Sequence, residues 1–286
     1  MKYIIIALLL LVLLSIYVYK ESTGFHVVKY CLNDRRINKN VKLVFISDLH
    51  NNEYGEGNIA VLDKIDEINP DYVVIGGDTM TSCMEKWTGL DKTFELVKNL
   101  TKKYKVIYGM GNHEERLRRL PERFPEGVYE QLVNGLKEAG APLLADECIR
   151  LDDEGIDIYG LDLEHAYFRK FVTKDFASDY LANKLGNPDR DRYSILLAHN
   201  PEHFKAYVSW GADLILSGHV HGGIIRLPLL GGVVSPAMKL FPKYDGGLFS
   251  QGNSHMVLSR GLGTHTIPVR INNKAELVVV ELTNKA

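Results

Sequence analysis

Histidine and aspartate side chains occur two residues apart at two places in the sequence. His219 and His221 follow an apolar run, and so do Asp48 and His50. Residues two apart point to the same side of an extended chain, so each pair can direct its ligating groups towards one small volume beyond a strand end. Such a pair can bind a metal ion. It is also common on exposed strands and in polar turns, so partners elsewhere in the chain must decide between the two interpretations.

Three further predicted strands end in side chains that can bind a metal ion or transfer a proton. Asp78 follows one strand, Asn112 and His113 follow the next, and His199 follows a later one. A single aspartate after a strand and two glycines is usually only a turn former. In an α/β domain, however, ligands bind where the carboxyl ends of the strands meet. Five strand ends therefore direct similar side chains towards one region.

The combined set has the composition of a transition-metal site. It contains four imidazoles, two carboxylates and one amide oxygen, apart from His113, and no thiolate. These groups suit Mn, Fe, Zn or Ni-like ions and not a structural Cys-type zinc site. Because the set exceeds what one ion needs, two divalent ions roughly 3.5–4 Å apart with a bridging carboxylate are predicted. The predicted ligands are Asp48, His50, Asp78, Asn112, His199, His219 and His221.

The segments that carry these residues alternate between strands and helices, which indicates an α/β fold. β-Branched and aromatic runs predict strands, and helical periodicity predicts helices. The predicted strands are residues 41–46, 72–75, 105–108, 194–198 and 212–216, and the predicted helices are 59–68, 89–103 and 168–185. A hairpin is predicted for 147–161. C-terminal strands at 256–258, 266–269 and 277–280 are predicted to close a second sheet.

Composition excludes several classes of protein. The 286 residues are 45% hydrophobic, which suffices for a sizeable core in one large domain or two ordinary ones. The 34 basic and 36 acidic residues leave a net charge of −2, so no nucleic-acid partner is expected. Cys31, Cys83 and Cys148 are scattered, so neither a disulfide framework nor a thiolate zinc site is indicated.

An unbroken apolar segment lies near the start of the chain. Tyr3–Tyr19 carries no charge and would span roughly 26 Å as a helix, which nearly crosses a bilayer. It is longer than the usual signal-peptide core and lacks a small-x-small cleavage site, so an uncleaved single-pass anchor in the cell membrane is favoured over a cleaved signal. Basic residues on both flanks leave the membrane side of the body open. The predicted division is 1–20 anchor, 21–40 polar connector and 41–286 globular domain.

The ordered motifs resemble those of the calcineurin-like binuclear metallophosphoesterases, from about Val41 to the C-terminus. The motifs are Asp48-x-His50, Gly77-Asp78, Gly111-Asn112-His113-Glu114, His199 and Gly218-His219-x-His221. The resemblance implies a four-layer αββα sandwich of two mixed β-sheets. It also implies one ion on Asp48, His50 and His221, a second on Asn112, His199 and His219, and Asp78 as the bridge between them.

The same resemblance implies hydrolysis of a phosphate ester or diphosphate. Two divalent ions against two carboxylates leave a positive centre that attracts a phosphate ester. The expected reaction is in-line attack on phosphorus by a hydroxide that bridges two Mn, Fe or Zn ions, with Mn favoured. His113 is expected to protonate or stabilise the leaving oxygen. Glu114 is expected to orient His113 or to contact the substrate.

Departures from the motifs separate the chain from two well-known branches of that family. The residues after Asp78, up to Ser82, lack the Asp and Arg that phosphoprotein phosphatases carry soon after the bridging aspartate, and Thr81 stands where purple acid phosphatases have a ligating tyrosine. Segments at 226–228, 230–233, 240–244 and 259–263 are similar to a bacterial membrane-associated branch that includes UDP-diacylglucosamine pyrophosphatase-type enzymes. With the predicted anchor, this similarity implies a lipid-linked or cell-envelope phosphate ester or diphosphate as substrate.

Residues outside the metal motifs are candidates for substrate contact. Arg116 and the arginines after it form either a solvated helix face or a phosphate contact, and Arg260 lies in one of the segments of the membrane-associated branch. The apolar loop from Gly231 to Phe241 is expected to meet an acyl chain or the bilayer, or to pack on the second sheet. Two other functions stay open: a general phosphodiesterase for soluble nucleotides, and a catalytically silent binding or scaffold protein.

Overall fold

Seven helices and fourteen strands are present in the residues that the structure describes. This computed structural model describes residues 1–84, 87–169, 174–235, 240–264 and 269–284. The helices are α1 (Lys2–Thr23), α2 (Ile59–Ile68), α3 (Asp91–Thr101), α4 (Asn112–Arg119), α5 (Val128–Glu138), α6 (Tyr180–Leu185) and α7 (Phe204–Trp210). The strands are β1 (Phe25–Asn33), β2 (Val41–Ile46), β3 (Tyr72–Ile75), β4 (Lys105–Gly109), β5 (Leu143–Leu144), β6 (Glu147–Leu151), β7 (Ile156–Gly160), β8 (Tyr193–Leu197), β9 (Leu214–Ser217), β10 (Arg226–Leu227), β11 (Gly231–Gly232), β12 (Gly247–Gln251), β13 (Ser254–Leu258) and β14 (Ala275–Thr283).

The first sheet has the strand order β1-β14-β2-β3-β4-β5. Strands β2 to β5 run parallel, with α2 and α3 as the crossovers between β2, β3 and β4. β14 runs antiparallel to β2, and its Val278 pairs with Phe45. β1 runs parallel to β14, and its Phe25 pairs with Ala275. The amino ends of β1 and β14 therefore lie at the edge of the sheet where β2, β3 and β4 end.

The second sheet has the order β12-β13-β9-β8-β7-β6. Its four inner strands run parallel, and the edge strands β12 and β6 run antiparallel to their neighbours. The hairpin predicted for residues 147–161 is confirmed as β6 and β7, in which Glu147 pairs with Gly160. Strands β8 and β9 end at the same edge of this sheet, because they are parallel neighbours.

Three apolar clusters hold the layers together. In β2, Leu43 and Phe45 face a cluster shared by both sheets, whereas Val44 faces the helices outside the first sheet. That outer cluster includes Leu96 from α3, and the outer face of the second sheet packs on α6 and α7 through residues such as Tyr207. The layer order is therefore helix, sheet, sheet, helix. The predicted α/β fold with two mixed sheets is confirmed.

β14 lies inside the first sheet, so the prediction that residues 277–280 close the second sheet is wrong. Its side chains alternate between two buried surfaces: Leu277 and Val279 join the outer cluster, and Val278 and Val280 join the cluster between the sheets. A strand that is apolar on both faces fits the interior of either sheet, so its composition could not choose between them.

Other segments also differ from the predictions. The polar connector predicted for residues 21–40 contains β1, an edge strand whose alternate residues are exposed and polar enough to look like a linker. The helix predicted for 168–185 is limited to α6 at its end, after a short 3₁₀ turn at His165–Phe168. The strand predicted at 266–269 lies outside the described residues except for Val269. The apolar loop from Gly231 to Phe241 is described only in part, and Phe241 is exposed there.

α1 is long and apolar enough to cross a membrane, and a signal sequence near an N-terminus has the same character. None of its residues is buried. The base of the helix contacts the segment that precedes β14: the Tyr17 hydroxyl donates to Oδ1 of Asn272 (2.5 Å), and the Ser22 hydroxyl accepts from the Arg270 backbone N–H (3.0 Å). α1 is thus attached to the body of the protein at that point.

Candidate metal centre

The predicted ligands lie in the segments that directly follow β2, β3, β4, β8 and β9, and Asn112 is the first residue of α4. All of these strands end at one side of the sandwich, where ligand sites of α/β folds are found. Six of the seven predicted ligands are buried, and His219 is partly exposed. Ionisable groups are buried together only when they pair with one another or with ions. The burial of this set therefore needs an electrostatic explanation.

One group of candidate ligands consists of Asp48, His50 and His221, whose ligating atoms all lie within 4.8 Å of one another. Nε2 of His50 lies 3.1 Å from Nε2 of His221, and the latter atom lies 3.3 Å from Oδ1 of Asp48. Two imidazole nitrogens and a carboxylate oxygen therefore converge. Three protein ligands with open positions are typical of catalytic metal sites.

A second group consists of Asp78, His199 and His219, again within 4.8 Å. Nε2 of His199 lies 3.0 Å from Oδ2 of Asp78. A third group, formed by His50, Asp78 and His113, shares His50 with the first group and Asp78 with the second. His219 and His221 therefore belong to different groups, and Asp78 lies between the groups.

Five of the candidate ligands have left-handed backbone conformations. The φ angles are 54° for Asp48, 50° for His50, 55° for Asp78, 73° for His219 and 51° for His221. Each such residue costs roughly 1–2 kcal/mol, and strain of this kind collects at functional sites. The extended geometry expected for the Asp48/His50 and His219/His221 pairs is therefore wrong. Tight turns, and not the alternation of a strand, direct these side chains.

Close contacts between loops require glycine at two positions. Gly77 has a φ of 90°, and a Cβ atom there would lie 2.3 Å from the backbone nitrogen of Gly111. A Cβ atom at Gly218 would lie 2.1 Å from Oγ of Ser47 and 2.2 Å from Oδ2 of Asp48. These approaches are closer than a side chain tolerates. The two glycines let loops from different strands bring their ligands together.

Hydrogen bonds from the loops position both carboxylates. The Ser47 hydroxyl donates to Oδ2 of Asp48 (2.6 Å), and the His219 backbone N–H donates to its Oδ1 (2.9 Å). The His113 backbone N–H donates to Oδ1 of Asp78 (2.8 Å). The orientation of each carboxylate is thus fixed before any ion binds, which is typical of preorganised sites.

Burial and the neighbouring charges shift the pKa values in the centre. Burial raises the pKa of Asp48 and lowers the pKa of His50. For Asp78 burial opposes ionisation, but the surrounding histidines, His199 first, together outweigh it and hold the pKa well below its usual range. Burial likewise opposes protonation of His199, but Asp78 and Asp48 raise its pKa to about 10. The two buried carboxylates therefore strongly stabilise positive charge placed next to them.

The arrangement of lone pairs fits divalent metal ions. The Gly76 carbonyl oxygen accepts from Nδ1 of His199 (2.8 Å), so the lone pair of Nε2 faces Oδ2 of Asp78. Two facing lone pairs need a proton or a cation between them. Oδ1 of Asn112 is buried and accepts no hydrogen bond from any described residue, which also suits a cation. These atoms have the character of metal ligands.

His113 has a defined tautomer. The Ser82 backbone N–H points at Nδ1 of His113 (2.7 Å), and the Ser82 hydroxyl lies 3.0 Å from the same atom. Because a backbone N–H can only donate, Nδ1 must be the acceptor, and the hydrogen of the neutral ring lies on Nε2. The His113 and His50 rings are 4.7 Å apart in an edge-on contact. His113 can therefore offer an N–H donor beside the candidate ligands.

Comparison with known proteins agrees with this geometry. Residues 41–223, more than half of the chain, match the family described as calcineurin-like phosphoesterase. The match begins at β2 and ends just after His221, so it includes all five ligand loops. The chain belongs to the calcineurin-like phosphoesterase family. Members of this family are hydrolases, and the buried ligand groups suggest a metal centre in this phosphoesterase.

Curated bacterial proteins resemble this phosphoesterase along most of its length. An uncharacterized metallophosphoesterase of Helicobacter pylori strain J99 is 29% identical over 87% of this chain and 62% of its own length. The metallophosphoesterase YkuE of Bacillus subtilis is 28% identical, over 84% of this chain and 78% of its own. Phosphodiesterase YaeI of Escherichia coli K12 is 25% identical, over 84% of this chain and 82% of its own length. The chain spans about three fifths of the Helicobacter relative.

Glu114 differs from the expectation that it orients His113 or contacts the substrate. Its side chain is fully buried, and its carboxylate accepts from the backbone N–H groups of Asp78 (2.9 Å) and Gly111 (3.1 Å) and from the Tyr108 hydroxyl (2.9 Å). Burial, followed by the charge of Asp78, raises its pKa to about 7. In this phosphoesterase Glu114 supports the loops behind the centre.

The two predicted arginines contact different loops around the candidate centre. Arg116 is half-buried and donates to the carbonyl oxygen of Ser82 (3.1 Å), next to His113. Arg260 lies beside Gly222, and its Nε is 3.6 Å from Oε2 of the buried Glu276. Arg116 is therefore bound to the residue that contacts His113, and Arg260 is partly engaged by a carboxylate.

Several residues that support the centre were missed in the sequence. Ser47 and Ser82 contact Asp48 and His113, but an isolated serine after a strand carries no distinctive signal. Arg270 is buried, and its guanidinium donates to the carbonyl oxygens of Gly261 (3.2 Å) and Gly263 (2.5 Å). That loop packs against Asp48 and His221, so Arg270 supports ligands from a distance that sequence spacing does not reveal.

Proposed function

We propose that this phosphoesterase hydrolyses phosphodiesters with two divalent metal ions. The observation that carries the proposal is the division of the ligands into two adjacent groups, which a third group links through His50 and Asp78. We assign one ion to Asp48, His50 and His221, the other to Asn112, His199 and His219, and the bridge between them to Asp78. Manganese is the first choice, because the set combines oxygen ligands with imidazoles.

The residues of the chain have separable roles in the proposed reaction. Bound at these ligands, two divalent ions would acidify water and neutralise the phosphoryl oxygens. Asp78 would fix the separation of the two ligand groups. His113 would donate its Nε2–H to the leaving oxygen, because Ser82 holds Nδ1 as an acceptor. His113 therefore acts as a neutral hydrogen-bond donor and not as an imidazolium.

The proposed substrate class is a phosphodiester. The name of the Escherichia coli relative, a phosphodiesterase, supports this choice. A lipid-linked or cell-envelope phosphodiester or diphosphate, of the kind that UDP-diacylglucosamine pyrophosphatase-type enzymes cleave, is the second candidate. The exposed side chains of Leu229 and Leu230, between β10 and β11, favour it together with α1. Soluble nucleotide diesters are the alternative within the same class.

A metal-reconstitution assay tests the proposal. Protein stripped of metal and reloaded with Mn²⁺ is expected to hydrolyse bis(p-nitrophenyl) phosphate. Asp78→Ala is expected to reduce turnover by roughly 10³-fold or more, because it removes the proposed bridge. Asp66→Asn, which removes an exposed carboxylate on α2, is the matched control and should retain activity. Turnover that Asp78→Ala leaves intact would contradict the assignment.

The same assay separates an enzyme from a catalytically silent binding protein. A silent protein would bind metal ions but show no turnover on diesters, monoesters or diphosphates. A panel of soluble nucleotide diesters, UDP-linked compounds and lipid diphosphates then distinguishes the two substrate candidates. A preference for soluble nucleotides would contradict the lipid-linked candidate and leave the phosphodiesterase proposal intact.

A further inference from the structure

A cavity of about 410 Å³ lies beside the candidate metal centre, between α4, the 82–84 loop and the 3₁₀ turn that begins at His165. Arg116, Arg119 and Arg123 line one side of it. Leu120 and Phe124 add apolar surface. A volume of this size and a mixture of cationic and apolar walls are typical of small-molecule subsites.

The cavity extends to a residue that contacts the candidate donor His113. Ser82 lines the cavity and also directs its backbone N–H at Nδ1 of His113 (2.7 Å). Arg116 follows the candidate ligand Asn112 by four residues on α4, so the two lie on the same helix face about 6 Å apart along the axis. A group bound to Arg116 would therefore be next to a group bound at the metal centre.

Arg116 differs from the neighbouring arginines in its partners. Arg118 pairs with Asp162, and Arg119 pairs with Glu115. In the part of the chain that the structure describes, Arg116 instead donates to a neutral oxygen, the carbonyl of Ser82 (3.1 Å). A carbonyl leaves the charge of the guanidinium uncompensated. An anion in the cavity would supply the missing charge.

His165 lies in the positive electrostatic field of the same arginines. His165 lines the cavity, and its pKa is lowered first by burial and then by the charges of Arg119 and Arg116. A neutral His165 can donate or accept a hydrogen bond without adding charge. The cavity therefore favours a ligand that is anionic where it meets the arginines.

We propose that this cavity binds a second phosphate group of the substrate, adjacent to the phosphate that is hydrolysed. Arg116 forms charge-assisted hydrogen bonds with that second phosphate, Arg119 adds positive charge to the same wall, and Phe124 covers an apolar part of the substrate. The inference rests on the proposed phosphoesterase function and narrows its substrate class. The favoured substrates are diphosphates and phosphorylated diesters, and not diesters with a single phosphate.

Two chromogenic substrates with the same scissile bond test the inference. They are thymidine 5′-(4-nitrophenyl phosphate) and the same compound with a 3′-phosphate. The wild-type enzyme is expected to prefer the 3′-phosphate by about tenfold in kcat/KM, which corresponds to one partly exposed charged contact. The preference should decrease as salt is added, because the charges are screened.

The ratio of the two kcat/KM values is the readout for the variants. It does not depend on the fraction of active enzyme, so it stays informative if Arg116→Gln also disturbs Ser82 and His113. The ratio is expected to fall towards one in Arg116→Gln/Arg119→Gln and to be partly retained in Arg116→Lys. Arg35→Gln removes the same charge from an exposed position at the opposite edge of the first sheet and should keep the wild-type ratio.

The possible failures are distinguishable. A wild-type ratio near one, or a ratio that the double variant leaves unchanged, would overturn the subsite and leave the phosphodiesterase intact. If neither substrate is hydrolysed, or if Asp78→Ala does not abolish the hydrolysis, the proposed function is overturned, and the subsite with it.

Discussion

His219 and His221 are separated by one residue, yet their imidazoles join different groups of candidate ligands. His221 lies with Asp48 and His50, whereas His219 lies with Asp78 and His199. Both histidines have positive φ angles, so the chain turns between them instead of presenting them side by side. The motif is therefore suited to two neighbouring ions and not to the chelation of one.

The two single histidine variants test this division. His219→Ala and His221→Ala are each expected to reduce the metal content of reconstituted protein from about two ions to about one per chain, because each removes a ligand from a different group. Elemental analysis after dialysis measures the stoichiometry. Loss of both ions in either variant, or of neither in both, would contradict the assignment.

A substitution at Gly218 tests how closely the loop after β9 must approach the loop after β2. In Gly218→Ala the added methyl group would lie about 2 Å from the Ser47 hydroxyl and the Asp48 carboxylate, so Asp48 must move. Because geometry errors of about 1 Å cost roughly 10²-fold, activity and metal affinity should both fall by about that factor. Circular dichroism and titration with Mn²⁺ would measure fold and affinity.

The control for that variant is Gly252→Ala. Gly252 has a φ of 60° and no other atom near its added Cβ, so this change introduces backbone strain away from the centre. It should lower the free energy of unfolding by about 1 kcal/mol and leave metal affinity unchanged. Equal loss of affinity in the two variants would show that Gly218 acts only through stability.

The identities of the candidate ligands were readable from the sequence, whereas their supports were not. Asp, Asn and His after predicted strands stand out because strand ends converge in α/β folds. The groups that orient them come from other loops: Gly76 contacts His199, and Gly263 contacts His221 through backbone carbonyls. Backbone atoms leave no mark on residue type, so only the folded chain reveals them.

Among the elements, β1 is the one that the sequence concealed. It pairs with β14 along nine residues, and its Leu32 is buried with Ile37 in the cluster between the sheets. Central strands such as β2 were predicted because they are rich in β-branched and aromatic residues. β1 alternates exposed and half-buried residues because it lies at the edge, so the same rule did not find it.

Two truncations test the contribution of β1. A chain that starts at Gly24 lacks α1, none of whose residues is buried, and should fold with nearly full stability. A chain that starts at Val41, the predicted domain boundary, loses Leu32 and Ile37 from the core and should lose about 5 kcal/mol or more. Urea unfolding of both proteins measures the difference. Equal stability would show that β1 is dispensable.

For the whole molecule, α1 raises the question of attachment to a membrane. We expect the full chain to sediment with membranes and to resist extraction at high pH, because α1 carries no charge between Tyr3 and Tyr19. Leu9→Arg/Leu13→Arg should release it, since each charge in the middle of the span costs roughly 2.5–3.5 kcal/mol. Release of the unchanged chain would indicate a cleaved signal. Protease accessibility in intact cells would give the side of the body.

The direction of β14 has a consequence for how substrates would reach the centre. Because β14 runs against β2 and β1 runs with β14, α1 leaves the body at the same edge as the candidate ligands. Asn272 contacts Tyr17 of α1, and the next residue, Asn273, donates to the carbonyl oxygen of His221 (2.8 Å). A molecule held in a bilayer by α1 would turn its centre towards the lipid headgroups. Tethering of this kind gives effective concentrations of the order of millimolar, so a membrane-borne phosphodiester would need little intrinsic affinity to saturate the enzyme.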